Sequence, residues 1–184
     1  MIIGHVGVAF ATTRFARRTG IFWALFASLA PDIWRQALED VKYGPWHANL
    51  YSHAYPWVVV LGIVLASTAW IVTREAALAI ILALLVASHV ALDMISGWKP
   101  LWIGGPSGLD LQHMEQAEFV LEACLAWLGW RLLPRTRVPR WLTNKATLFA
   151  LIVVQGTYAI SYYRARPSEI RCIMYPFAPC WTKL

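Results

Sequence analysis

The sequence predicts an all-α fold: a polytopic membrane helix bundle of about four transmembrane helices, preceded by a short N-terminal helical hairpin. Three observations predict it. The 184-residue chain is 59% hydrophobic and 14% charged, against about 25% charged for an average globular chain. Its mean hydropathy is +0.51, and its apolar residues fall in runs long enough to cross a bilayer. It also holds 11 Trp, a residue that collects at membrane–water interfaces.

The elements follow in order. Met1–Ile3 lacks a basic flank and His5 interrupts the first apolar stretch, so no removable signal peptide is expected. Two short apolar pieces, His5–Phe15 and Ile21–Ala30, flank "RRTG" at 17–20. Each is too short to span comfortably, and a tilted or half-embedded hairpin is expected. Four longer runs follow at Pro56–Thr73, Ala76–Ile95, Ala117–Leu133 and Ala146–Tyr163, near the ~20 residues that a ~30 Å hydrocarbon core requires. Residues 34–55 and 98–115 read as polar connections. "RLLPRTRVPRW" at 131–141 reads as a basic, Pro-broken loop, and the tail from Arg164 is basic and Pro-rich. No repeat or low-complexity tract occurs. The chain reads as one domain, with a membrane-embedded core over 1–133 and the basic loop, last span and tail over 134–184.

The net charge of +6 raises nucleic acid as a partner. No aromatic-interleaved basic stripe or helix-turn-helix pattern supports it. P-loop, GxSxG and GxGxxG motifs are also missing. In a membrane chain such charge is read as topology. Arg14, Arg17, Arg18, Arg74, Arg131, Arg135, Arg137, Arg140 and Lys145 fall at the hairpin apices, against Arg35, Lys42, Lys99, Arg164, Arg166, Arg171 and Lys183 at the opposite end. The expectation is a multi-pass cell-membrane protein (a bacterial inner membrane), with apices in the cytoplasm and the opposite end outside. Cys124, inside an apolar run, is expected as a packed thiol. Cys172 and Cys180 could form a disulfide if the tail lies outside.

The polar residues are the informative ones. Two antiparallel helices bring together positions equidistant from their turn. His5 and Asp32 are equidistant from "RRTG", and His53 and Asp93 from "VTRE". His89 and Asp93 are i,i+4 and share a face, with His89 about 6 Å deeper. Glu118 and Glu122 open the helix that starts on the same side. His5, Asp32, His53, His89 and Asp93 are therefore expected to gather at one end of the bundle. Imidazoles and carboxylates are ligands for divalent metals, Zn²⁺ first and Mn²⁺ second. A carboxylate near hydrocarbon is retained only with a partner or a function. Each residue also has a simpler reading. His89–Asp93 could be a hydrogen-bonded pair, His5 a solvated end, Asp32 a helix cap, His53 an interfacial ring, and Glu122 an acid paired with a base.

These residues carry a family resemblance. "GHVGVAF", "LAPDIW", "YSHAYPW" and "SHVALD", in that order, resemble the membrane-bound metal-dependent hydrolases of the YdjM-like group. "KPLWIGGPSGLDL" and "VLEACLAWLG" resemble the loop and Glu-bearing helix of an integral membrane subgroup with the same motif order. The resemblance covers about residues 1–133. The order His, Asp, His, His-x-x-x-Asp is also similar to that of zinc-dependent phospholipases C. This chain departs from the family where Trp34 replaces the second Asp of "PDxD" and where "HANLYSHAY" lacks an Arg.

The resulting expectation is a metal-dependent hydrolase acting on a lipid phosphoester at the bilayer interface, in contact with membrane lipid. His5, Asp32, His53, His89 and Asp93 would hold metal, with Glu122 or Glu118 as general base. Trp46, Trp57, Trp98 and Trp102 would flank the site, or simply belong to the interfacial belt. His47 and His113 read as solvated loop residues that could also touch substrate. Two alternatives stay open on the sequence: a membrane protein with a structural metal site, and a small ion or solute transporter.

Overall fold

The computed structural model describes residues 2–15, 20–41, 45–97, 99–100, 106–109, 115–136 and 138–164. Seven helices are found among them: α1 (Ile2–Thr12), α2 (Ile21–Asp40), α3 (Pro45–His53), α4 (Tyr55–Thr73), α5 (Ala76–Ser96), α6 (Glu115–Leu132) and α7 (Lys145–Arg164). A two-residue antiparallel pair, β1 (Lys99–Pro100) with β2 (Pro106–Ser107), follows α5. The fold is helical, as expected.

The α4–α5 hairpin is the clearest element. Pro56 lies in the first turn of α4, where a missing N–H costs no helical bond. Arg74 ends α4 in the left-handed conformation (φ 58°, ψ 21°) and donates its N–H to the Trp70 carbonyl at 2.8 Å. Glu75 N–H then bonds Thr73 Oγ1 at 3.2 Å, and the chain reverses into α5. These two helices are long and apolar enough to cross a membrane. Only 17% of the apolar stretch of α4 is buried, and Val59, Val60, Ile63 and Val64 are exposed on it. α5 lies deeper, with Leu78, Leu82, Leu85 and Val86 packed against Ala24, Ala27 and Val58.

α1 packs on α6 with almost no separation between backbones. A Cβ on Gly7 would collide with the Leu125 carbonyl, and one on Gly129 with the carbonyl of Gly7. The two glycines permit this approach because neither carries a side chain between the backbones. Beyond the contact, Phe10, Trp130, Leu133 and Leu142 form a second buried cluster. Trp130 Nε1 donates to the Leu142 carbonyl at 3.0 Å.

Several expectations change. α2 does not stop at Ala30; it runs through Pro31 to Asp40. Proline removes a single helical donor, and the segment beyond it is held by the i,i+4 pairs Arg35–Glu39 (3.8 Å) and Gln36–Asp40 (3.1 Å). The supposed connection 34–55 is therefore largely helical, and His53 closes α3 rather than opening α4. Cys124 is exposed, because α6 buries the face that carries Glu118, Glu122 and Ala126. Of the four expected spans, α4 and α5 meet the length and composition of a crossing, while the last holds a shorter apolar helix, Lys145–Thr157; Ile2–Thr12, in the expected N-terminal hairpin, is also a shorter apolar helix. α6 carries Glu115, Glu118, Glu122 and Arg131 in its 18 residues. The expectations for Trp98, Trp102, His113, Cys172 and Cys180 fall outside the described residues.

Candidate metal centre

Four residues from three helices meet at the open end of the α4–α5 hairpin. α2 supplies Asp32, the last residue of α3 supplies His53, and α5 supplies His89 and Asp93 one turn apart. One ligand atom from each lies within 4.8 Å of all the others. His53 Nε2 is 3.3 Å from Asp93 Oδ2 and 3.5 Å from Asp32 Oδ1. His89 Nε2 is 3.6 Å from Asp93 Oδ2 and 3.8 Å from Asp32 Oδ2. Ligands at ~2.0–2.2 Å around one tetrahedral ion lie about 3.3–3.6 Å apart. Both His53–Asp distances and the His89–Asp93 distance fall in that range, and Asp32 stands slightly farther from His89, at 3.8 Å.

The protonation pattern follows from what lies behind each ring. Ser52 Oγ donates its one proton to the Ala48 carbonyl at 2.7 Å. At 2.6 Å from His53 Nδ1 it can then only accept, so Nδ1 carries the hydrogen. His89 Nδ1 lies 2.6 Å from the Ser28 carbonyl, which also only accepts. With its Nδ1 protonated, each ring in its neutral form turns an Nε2 lone pair inward, and the two Nε2 atoms face each other at 3.3 Å. Two lone pairs at this distance repel unless a cation sits with them. A proton on one Nε2 would serve that nitrogen and one neighbouring carboxylate, such as Asp93 Oδ2 at 3.3 Å from His53. A divalent metal would serve the two nitrogens and both carboxylates, and the backing hydrogen bonds are those that orient histidine ligands. The residues present therefore fit a divalent metal.

His5 stands beside this group. It is fully buried, stacks on His89 with ring centroids 3.8 Å apart, and donates from Nε2 to Asp93 Oδ1 at 3.0 Å. Its Nδ1 is buried without a hydrogen-bond partner. Ser28 ties the two rings together, since its Oγ donates to the His5 carbonyl at 2.7 Å while its own carbonyl takes His89. Lys99, on β1, places its ammonium 2.6 Å from Asp93 Oδ2. Asp32 is the most open member, with its side chain 33% exposed against 0% for His53.

The glutamates occupy other ground. Glu122 was expected as a general base at the metal. Its Oε2 instead accepts the N–H groups of Ile3 (3.0 Å) and Gly4 (3.3 Å), and its Oε1 accepts from Gln155 at 2.8 Å. It satisfies the first donors of α1, the place where a carboxylate is most stabilising on a helix. Glu118 is buried one turn earlier, outside the four-residue group. His47 is exposed, and Trp57 makes an edge-on contact with Tyr51 at 5.6 Å between centroids.

Sequence reasoning missed Ser28, Ser52, Lys99 and Gln155. The dipeptide "SH" at 52–53 was a usable signal but an unreliable one: at 88–89 the same pair differs, because His89 Nδ1 turns to the Ser28 carbonyl and Ser88 bonds the Leu85 carbonyl. Compared with protein-family models, curated proteins and solved structures, the chain matches none of them.

Proposed function

We propose that Asp32, His53, His89 and Asp93 bind one divalent cation, Zn²⁺ or Mn²⁺, and that the protein is a membrane hydrolase of lipid phosphoesters. The observation that carries this reading is the convergence of His53 Nε2 and His89 Nε2 with the Asp32 and Asp93 carboxylates, each ring held from behind at Nδ1 by Ser52 or Ser28. The motif order shared with the YdjM-like hydrolases supports the same reading. When bound, such a cation supplies Lewis acidity toward a phosphoryl oxygen.

The chain's own residues divide the remaining work. His53, His89 and Asp93 are the buried, fixed donors. Asp32, partly exposed and at the longer distances, is the displaceable donor and the general base on the open side; a catalytic site needs such an opening. His5 is a positioning residue that holds Asp93 through Oδ1. In this reading α6 and α7 complete four crossings, and the centre lies at the outer headgroup level.

The test is metal analysis and a phosphodiester reporter assay on purified full chain in nanodiscs. About one Zn²⁺ or Mn²⁺ per chain is expected, lost together with hydrolysis in Asp93→Ala. Equal rates in wild type and Asp93→Ala would overturn the enzyme reading. One observation favours a second reading. Lys99 already neutralises Asp93 at 2.6 Å, as in a structural ionic cluster. In that case metal binds stoichiometrically or not at all, and no reporter turns over.

A further inference from the structure

A groove runs between α4 and α5 on the side where Val59, Ile63 and Leu84 are exposed. It has a volume of about 540 Å³, within the range of small-ligand sites. Small residues open it: Gly62 and Ala66 on α4, and Ala83, Ala87 and Ala91 on α5. Its walls are otherwise apolar, and one end reaches His53, the same ring whose Nε2 faces His89 in the candidate metal centre. From Tyr55 to Ala66 the groove follows eleven residues of α4, a rise of about 16 Å. That is close to half of the ~30 Å hydrocarbon core, the depth of one leaflet.

The charge at the His53 end selects the occupant. Asp32 and Asp93 contribute two negative charges, and a divalent cation would cancel them. The Lys99 ammonium, 2.6 Å from Asp93, then leaves this set net positive. A site that is cationic at headgroup level and apolar for one leaflet below matches an anionic phospholipid.

We propose that the α4–α5 groove holds one acyl chain of an anionic phospholipid, entering sideways from the bilayer, and so delivers the lipid phosphoester to the metal centre. The proposal deepens the hydrolase reading and rests on it for the fate of the headgroup. The position of the chain depends on the groove alone.

The experiment uses full-length protein in phosphatidylcholine nanodiscs doped with phosphatidylglycerol bearing a mid-chain diazirine. Photolysis should place adducts on groove residues such as Ile63, Ala66 and Ala87, several-fold above those on Phe149 and Val153, which are exposed on α7. Filling the groove by Ala87→Trp, or independently by Ala66→Trp, should cut groove adducts several-fold. Co²⁺ absorption, read on the same samples, should be unchanged. Lys99→Gln should erase the preference for diazirine-phosphatidylglycerol over its phosphatidylcholine analogue. Even labelling of every outward face, or groove adducts indifferent to both Trp variants, overturns the proposal. So does disulfide linkage between copies through Ala87→Cys, which would give the groove to a second chain. Failure of wild type to bind Co²⁺ sinks the metal reading instead, and the label map shows separately whether the groove claim survives.

Discussion

At the scale of single residues, the centre depends on hydrogen bonds that point away from it. Ser52 fixes the tautomer of His53 by accepting from Nδ1 while spending its own proton on Ala48. Removing that acceptor leaves the ring free to rotate and its Nδ1–H buried without a partner. Such outer partners typically change metal affinity by 10–100-fold. Ser52→Ala is therefore expected to weaken Zn²⁺ or Co²⁺ binding by about that factor, measured by competition with a chelating dye. Ser88→Ala is the matched control. Its hydroxyl bonds only the Leu85 carbonyl of its own helix, and affinity should stay within about twofold, the effect of a single local bond. Equal losses in both variants would mean that the serines act through helix stability rather than through the ring. The four donors themselves were legible because i,i+4 spacing and distance from a turn are readable in a sequence. The Ser28 carbonyl that orients His89 was not, since a backbone acceptor carries no side-chain signature.

At the scale of helices, the centre is held together by how closely α1 lies on α6. Gly7 and Gly129 meet backbone to backbone, and the N-terminal donors of α1 land on Glu122. That contact sets the depth of His5 and so the hydrogen bond to Asp93. A side chain on Gly129 meets the Gly7 carbonyl, which cannot move without displacing the whole helix. Gly129→Val should destabilise the protein by about 3 kcal/mol, the upper end of overpacking costs. It should weaken metal binding as well, because His5 is carried away from Asp93. Gly156→Ala, whose Cβ would meet only the Phe119 ring at 3.7 Å, should be nearly neutral. Thermal unfolding in detergent compares the two, and equal melting temperatures would show that the helices separate without cost. Here the sequence was a partial guide. The helices and their hairpins were visible as apolar runs. An acid at the depth of Glu122 requires a partner, and the structure supplies the first N–H groups of α1 together with Gln155, neither of which a sequence reveals. The length of α2 was misjudged because Pro31–Asp32 reads as a stop in isolation, whereas the pairs Arg35–Glu39 and Gln36–Asp40 carry the helix onward.

At the scale of the whole molecule, large apolar side chains turn outward on α2, α4, α6 and α7: Phe22 (85% exposed), Val72 (68%), Trp127 (51%) and Phe149 (69%). Water would oppose such a surface; hydrocarbon would not. α4 and α5 alone are long and apolar enough for a crossing among the described residues, and the hairpin they form has distinct ends. Arg74 caps one end, while Asp93 and the candidate centre stand at the other. We propose that Arg74 faces the cytoplasm, the side that the excess of basic residues at the apices selects under the positive-inside rule. With Cys124, Cys172 and Cys180 replaced by Ser, a single cysteine at Arg74→Cys should resist a membrane-impermeant maleimide in intact cells and react after permeabilisation. A single cysteine at Tyr55→Cys, 71% exposed at the end that carries the centre, should react from outside at once. The reverse pattern would put the centre on the cytoplasmic leaflet. The chemistry inferred for the four donors would survive that reversal, because it depends on their mutual distances, but the lipid supplied to them would then be drawn from the inner face of the membrane.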